Sequence, residues 1–297
     1  MSSTRAGSDR VSVIIPVFNR RREIPRAIAS ALGQSLSPYE ILVVDDGSTD
    51  GSPEAIAAIG DPRIKLLRHP QNRGAAAARN TAIEAAQGDW VALLDSDDEW
   101  EKNKLALQLE SLAHAPDDTP AGITGYVIRD YRYGESRHYQ PTARDVTLDA
   151  LVWGCALGLG STMLARRSIF QEIGSFDPEL PRLEDWEWLM RYLPMHRLGV
   201  LAQELATVHK GSDPSKARVA ASVARIRARH LMLWYGRSWL DGRRFDSTLL
   251  VEEAAAAYFA HDFLGATMLS LRALAAYPLR GNGFFNMVAR RVRHAVR

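Results

Sequence analysis

Val91-Ala92-Leu93-Leu94-Asp95-Ser96-Asp97-Asp98 is an apolar, strand-forming run that passes directly into three carboxylates at its carboxyl end. Open α/β sheets bind their ligands at that edge, so this stretch marks where function is to be sought. Asp95 and Asp97 are two residues apart, and a tight turn after the strand lets both side chains face one point, as a hard divalent cation requires of oxygen ligands. An Asp-rich turn also forms for purely local reasons, because Asp side chains bond their own backbone there. The rest of the chain has to separate the two readings.

Working outward, Val11 to Val17 is a β-branched run ending in Pro16 and Asn19, the pattern of a strand buried on both faces. Ile24, Ile28, Ala31 and Leu32 recur at helical spacing, with Pro25 in the first turn and Gly33 as the stop. Ile41 to Val44 is a second strand, followed by Asp45-Asp46-Gly47-Ser48-Thr49-Asp50-Gly51-Ser52, where Ser52 is expected to cap a helix starting at Pro53. Ile64 to Leu67, an alanine-rich helix over Gly74 to Ala86, and Trp90 to Leu94 complete four alternations of strand and helix. That is the βαβ signature of a parallel sheet with right-handed crossovers. Asp45-Asp46 and Asp95-Asp97-Asp98 should therefore share one sheet edge. No G-x-G-x-x-G opens a helix and no G-x-x-x-x-G-K-[ST] is present; Gly158-Leu159-Gly160 follows no strand and lacks the third glycine. Dinucleotide dehydrogenases and P-loop enzymes are set aside, leaving a metal to meet any phosphates.

With 297 residues, 46% hydrophobic and 24% charged, the chain can bury a large core and suggests one α/β domain plus an appendage. Its 37 basic and 35 acidic residues give a net charge of +2, too balanced for a general nucleic-acid binder. Cys155 is the only cysteine, so no internal disulfide or multi-cysteine zinc site can form; it reads as a buried structural thiol in a reducing compartment. No apolar run reaches the roughly 18 residues of a membrane span. Residues 1–10 are polar, without a signal-peptide core, and are expected to be disordered. The expected address is the cytoplasm.

Four ordered pieces now carry a resemblance: Val11-Ser12-Val13-Ile14-Ile15-Pro16-Val17-Phe18-Asn19; Val43 to Ser52; Asn72-Arg73-Gly74 with Ala78-Arg79-Asn80; and Leu94-Asp95-Ser96-Asp97-Asp98. Together with Ser161-Thr162-Met163, Gly174-Ser175-Phe176-Asp177 and Leu183-Glu184-Asp185-Trp186-Glu187, this set resembles the family 2 glycosyltransferases with the GT-A fold, a Rossmann-like mixed sheet. The resemblance covers about residues 11–210. It implies that Pro16 and Asp46 lie at the nucleotide, Asp46 accepting from the imide N–H of the base. It implies that Arg79 contacts base or ribose, that Asp95 addresses the ribose, and that Asp97 is the ligand of an Mn²⁺ or Mg²⁺ ion in the Asp-x-Asp motif. Asp185 matches the catalytic base and Glu184 its orienting neighbour. By residue type alone, Asp46 is equally a turn cap, Arg79 a solvated helical arginine, and Glu184-Asp185 a complement to a helix dipole.

Trp186 and Trp188 suit either sugar stacking or core packing. His209 and Lys210 follow an expected strand, Val200 to Val208, within reach of a diphosphate, although a histidine at a strand end is more often structural. Beyond residue 210 the chain turns helical, with Lys216 to Tyr235, Leu249 to Ala260 and Asp262 to Ala276 as expected helices after a linker over 212–215. The 211–297 region ends in Phe284, Phe285, Met287, Val288, Val292 and Val296 interleaved with arginines, a cationic amphipathic pattern suited to an anionic membrane surface or a partner groove.

The Gln-x-x-Arg-Trp motif of processive relatives is absent after Asp185, which points to single addition. The expected activity is a metal-dependent, inverting transfer of one hexosyl or related sugar from a nucleoside diphosphate sugar, UDP by default. The acceptor would be a hydroxyl of a glycan or lipid-linked molecule in cell-surface polysaccharide assembly, reached from the cytoplasm or as a peripheral membrane protein. Two other readings stay open: a nucleotidyltransferase that makes sugar nucleotides, and a non-catalytic sugar-nucleotide or glycan-binding module.

Overall fold

Mostly apolar runs form the parallel half of one sheet: β1 (Val11–Val17), β2 (Glu40–Asp45), β3 (Ile64–Arg68, with Lys65 inside it) and β4 (Trp90–Leu93), in spatial order β3-β2-β1-β4. A computed structural model describes residues 10–131, 134–210 and 215–278 of the chain. Every residue of β1, β2 and β4 is buried, as parallel strands linked by crossover helices require. The crossovers are α1 (Ile24–Leu32), α2 (Ser52–Ala57) and α3 (Ala75–Ala85).

Gly33 ends α1 as expected, at φ −80 and so outside the left-handed region, while the expected cap of the next helix changes. Ser52 is the first residue of α2 and does not cap it; left-handed Gly51, φ 86, takes that place, because the Ser52 hydroxyl is already bonded to Asp50 and to the N–H of Arg20.

The parallel half is only part of the sheet. After β4 come β5 (Glu99–Trp100), α4 (Lys104–Ala113), β6 (Ala121–Asp130), β7 (Glu135–Tyr139), α5 (Leu148–Leu151), α6 (Leu159–Thr162), β8 (Leu164–Arg166), α7 (Arg167–Glu172), α8 (Glu184–Tyr192) and β9 (Leu198–Lys210). The order continues β4-β8-β6-β9-β5, with β7 on β6, giving a mixed nine-stranded sheet. β8 runs antiparallel to β4 and β6, β9 parallel to β6, and β5 antiparallel to β9. The chain thus leaves the sheet at Leu93 and re-enters at its far edge at Glu99. That pins the Asp95–Asp98 turn at both ends.

Trp186 and Trp188 are 1% and 0% exposed, so the tandem tryptophans are core and not sugar platforms. Trp188 stacks on Tyr192 at 4.9 Å between ring centres, packs against Phe170 and Phe176, and donates to the Gly174 carbonyl at 3.1 Å. Cys155 is half-buried, not buried as expected.

Two compact units can be drawn: Met1–Leu148, Cys155–Pro178 and Glu184–Lys210 in one, Asp149–Gly154, Glu179–Leu183 and Gly211–Arg297 in the other. In the second, α9 (Lys216–Arg237) and α11 (Phe263–Ala276) each pack on α10 (Trp239–Phe259). Periodicity placed the start of α10 at Leu249. It starts at Trp239, where Ser238 accepts from the Asp241 N–H at 2.9 Å. Gly242, which reads as a breaker, lets the helices approach: a Cβ there would lie 2.3 Å from the Tyr235 ring. No helix among the described residues is long and apolar enough to cross a membrane. The expected disordered start (1–9), most of the linker (212–214) and the basic amphipathic tail (284–297) lie outside the described residues.

Candidate functional site

The turn after β4 is held by Asp98 and Ser161. The Ser161 hydroxyl accepts from the Asp95 N–H at 3.1 Å and donates to Asp98 Oδ2 at 2.5 Å. Asp98 Oδ1 accepts from the His209 N–H at 2.9 Å, and the Asp98 N–H donates to the Asp95 carbonyl at 3.0 Å. Asp98 is buried, and burial, then the charges of Asp95 and Asp97, push its carboxyl well above the usual carboxylate range. One carboxylate of the three is therefore a brace. The other two remain accessible, with side chains 36% (Asp95) and 29% (Asp97) exposed.

Gly160 lies directly against Asp95; a Cβ there would stand 2.4 Å from its Oδ2.

At the neighbouring edge Asp45 plays the local turn role: its Oδ1 accepts from the Ser48 N–H at 3.1 Å and its Oδ2 pairs with Arg68. Asp46, 2% exposed, accepts from the N–H groups of Arg73 (2.9 Å) and Gly74 (2.7 Å) and meets His69 Nδ1 at 2.6 Å. It ties the Asn72-Arg73-Gly74 loop to the end of β2, so two motif pieces separated in sequence become one wall. Pro16 sits in β1 beside Val44 of β2.

Arg79 is 5% exposed, which removes the solvated-arginine reading. Its Nη2 donates to Asp95 Oδ1 at 2.6 Å and its Nη1 to Glu184 Oε1 at 2.5 Å, joining the end of β4 to the start of α8. Asn80 exchanges two hydrogen bonds with the Phe176 backbone, at 2.7 and 3.0 Å, and so fixes α3 against the Gly174–Asp177 segment. Both carboxylates of the acidic pair lie in the first turn of α8. Leu183, just before them, has φ 64, a conformation costing about 1–3 kcal/mol that its surroundings must impose.

Asp185 Oδ1 accepts from the Trp186 N–H at 2.8 Å. Burial, then the Glu184 charge, raises the Asp185 carboxyl from 3.8 to about 6. Its carboxyl lies next in the chain to Glu184, which the Arg79 bridge holds. His209, in contrast, is engaged on every side within the sheet: Nδ1 meets the Tyr131 hydroxyl at 2.7 Å, Nε2 meets Glu99 at 2.9 Å, and the Tyr131 ring stacks on it at 5.5 Å. It lies inside β9, which runs two residues past the expected end at Val208.

Among the described residues, no group of three or more His, Cys, Asp or Glu converges as a metal cage. Mg²⁺ and Mn²⁺ bound with a diphosphate need only one or two protein carboxylates. The accessible Asp95 and Asp97, crowded by like charge, fit that demand. Burial, then the charge of Asp95, raises the Asp97 carboxyl. Arg20 is the cation at hand, 3.0 Å from Asp97 Oδ2. Arg20, Ser161, Asp98 and Gly160 are the site residues to which sequence reasoning gave no role. Asp98 and Ser161 lay in quoted motif pieces and Gly160 in a glycine pair that was set aside, whereas no spacing relates Arg20 to Asp97.

The model of the family described as "Glycosyl transferase family 2" matches residues 12–174, more than half of the chain, and the protein belongs to that family. Two curated relatives illustrate the range. An Escherichia coli UDP-Glc:alpha-D-GlcNAc-diphosphoundecaprenol beta-1,3-glucosyltransferase, WfgD, is 43% identical over 34% of this chain and 40% of its own. The succinoglycan biosynthesis protein ExoO of Rhizobium meliloti is 44% identical over 34% of this chain and 29% of its own. The chain thus matches less than half the length of these relatives. Staphylococcus aureus TarS 1-349 with UDP-GlcNAc has a TM-score of 0.59 at 17% identity, covering 91% of this chain and 92% of its own. The Pyrobaculum calidifontis mannosyltransferase PcManGT, solved with GDP-Man and Mn²⁺, has 0.55 at 22%, covering 97% and 81%. At such identities the likeness is one of fold, and the fold is GT-A with C-terminal helices.

Proposed function

We propose that the protein transfers one sugar from a nucleoside diphosphate sugar, with UDP as the nucleotide, to a hydroxyl of a glycan or lipid-linked acceptor during cell-surface polysaccharide assembly. The observation that carries this reading is Arg79, which joins Asp95 on the donor side to Glu184 beside the raised carboxyl of Asp185. The donor's nucleotide end lies against Pro16, Asp46, Arg79, Asp95 and Asp97. WfgD is named for a UDP-sugar donor and a lipid diphosphate acceptor, which supports both choices. The lack of Gln-x-x-Arg-Trp after Asp185 supports single addition. The reaction takes place at the cytoplasmic side of the membrane, with residues 284–297 as a basic apolar contact for anionic lipid.

The acceptor O–H donates to an Asp185 oxygen. As oxygen bonds to the anomeric carbon, the proton passes to Asp185 while the carbon–oxygen bond to the diphosphate breaks and its electron pair leaves with the diphosphate. Attack opposite the leaving group inverts the anomeric centre. Arg79 holds Glu184 off the acceptor oxygen and keeps Asp95 turned toward the donor. A divalent cation on Asp97, when bound, neutralises charge on the departing diphosphate.

Incubation with Mn²⁺ and a panel of nucleoside diphosphate sugars tests the reading. Slow release of nucleoside diphosphate supports it. Diphosphate release from a nucleoside triphosphate plus a sugar 1-phosphate would make the protein a nucleotidyltransferase, and tight binding without turnover would make it a binding module.

A second test concerns pH. The Glu184 charge is the largest neighbouring influence raising Asp185. Glu184→Gln is therefore expected to move the acid limb of kcat to lower pH and to keep neutral-pH turnover within about tenfold of wild type. A limb that stays in place would show that Asp185 does not set it.

A further inference from the structure

The loops after β1 and β2 are latched by their own side chains. Asn19, left-handed at φ 52, donates its N–H to Ser48 Oγ at 2.9 Å, and its Oδ1 accepts from the Thr49 N–H at 2.9 Å. The Arg20 N–H donates to Ser52 Oγ and the Arg21 N–H to Asp50 Oδ2, both at 2.9 Å. Asp50 Oδ1 accepts from the Ser52 N–H at 3.0 Å and from its hydroxyl at 2.5 Å. The hydroxyls and carboxylate of the Gly47-Ser48-Thr49-Asp50-Gly51-Ser52 stretch thus serve the backbone of residues 19–21.

What this latch presents is the Arg20 side chain, with Nη2 3.0 Å from Asp97 Oδ2. Arg26 Nη2 donates to the Asp97 carbonyl and holds the turn from below. The Arg20 side chain is 41% exposed, and an ion pair in that setting is weak and exchangeable. Its backbone, held by Ser52, keeps a displaced guanidinium within side-chain reach of the same place. A guanidinium is also the group best shaped to take two phosphate oxygens at once.

We propose that Arg20 is an exchangeable counter-ion: in the free protein it holds the Asp97 carboxylate, and when donor and cation arrive together it passes to the donor's diphosphate. This rests on the reading of Asp97 as the cation's ligand. The cation alone must displace Arg20 with nothing to receive it, so it binds poorly. With a diphosphate present the guanidinium has a new partner, and cation and nucleotide help each other by a common factor.

The test uses the full chain, Mn²⁺ alone followed by paramagnetic resonance, and UDP with and without Mn²⁺ followed by calorimetry. Arg20→Gln is expected to bind Mn²⁺ alone about fivefold more tightly and UDP with Mn²⁺ about tenfold more weakly, with Arg20→Lys between it and wild type. These opposite signs separate exchange from a structural role, which would weaken both. Asp97→Asn is the control. If it loses Mn²⁺ binding while Arg20→Gln changes neither affinity, or lowers both, the exchange is overturned. If wild type binds no Mn²⁺ even with UDP, the cation reading fails first and this inference with it.

Discussion

Asp185→Asn is expected to lower kcat by about two to four orders of magnitude while leaving UDP affinity in the presence of Mn²⁺ within about twofold. The amide keeps the size of the carboxyl and can still accept from the Trp186 N–H, which donates to Asp185 Oδ1. It cannot take the acceptor's proton. Wild-type kcat should rise with pH and level off above about 6, because the base works only when ionised and its carboxyl is raised to about 6. The variant should lose that limb.

The stability sign runs the other way. A carboxyl raised on folding from 3.8 favours the folded state when protonated and costs stability as pH climbs through that window. Asp185→Asn should therefore not lower the thermal midpoint at neutral pH, and a loss of turnover cannot be put down to unfolding. Wild-type turnover in the variant would leave the inverting mechanism without a base. Lost UDP binding would instead make Asp185 part of the donor site.

Asp97→Ala is expected to reduce transfer by about a thousandfold or more and to remove the Mn²⁺ dependence of UDP binding, since the diphosphate loses the cation that screens it. Calorimetry with and without Mn²⁺ reads this directly. Burial and Asp95 raise the Asp97 carboxyl, so its ionised form also costs stability at neutral pH, offset by Arg20. The variant should melt no lower than wild type. Wild-type UDP affinity that ignores Mn²⁺ would overturn the role given to Asp97.

The amino-acid sequence by itself determined the parallel half of the sheet. β1 to β4 lie within a residue or two of their expected places, because strands buried on both faces must be continuously apolar and glycine and proline punctuate the helices between them. It also determined the family, through the order of short motifs, and it singled out Asp95, Asp97, Glu184 and Asp185. What it left open depends on partners far apart in the chain.

Whether Trp186 and Trp188 face sugar or core is set by Phe170, Phe176 and Tyr192 packing around them. His209 has nothing in its own neighbourhood to show that Tyr131, Glu99 and Asp98 surround it. Arg79 reads as one more helical arginine until α3 and α8 meet across Asp95. Of three adjacent carboxylates, only the pairing of β5 with β9 and the place of Ser161 decide that Asp98 braces while Asp95 and Asp97 face outward. Apolar burial is written locally, residue by residue, and so can be read from the chain. The hydrogen bonds that give a polar side chain its task are made to whatever the fold brings beside it, and only the tertiary structure decides that.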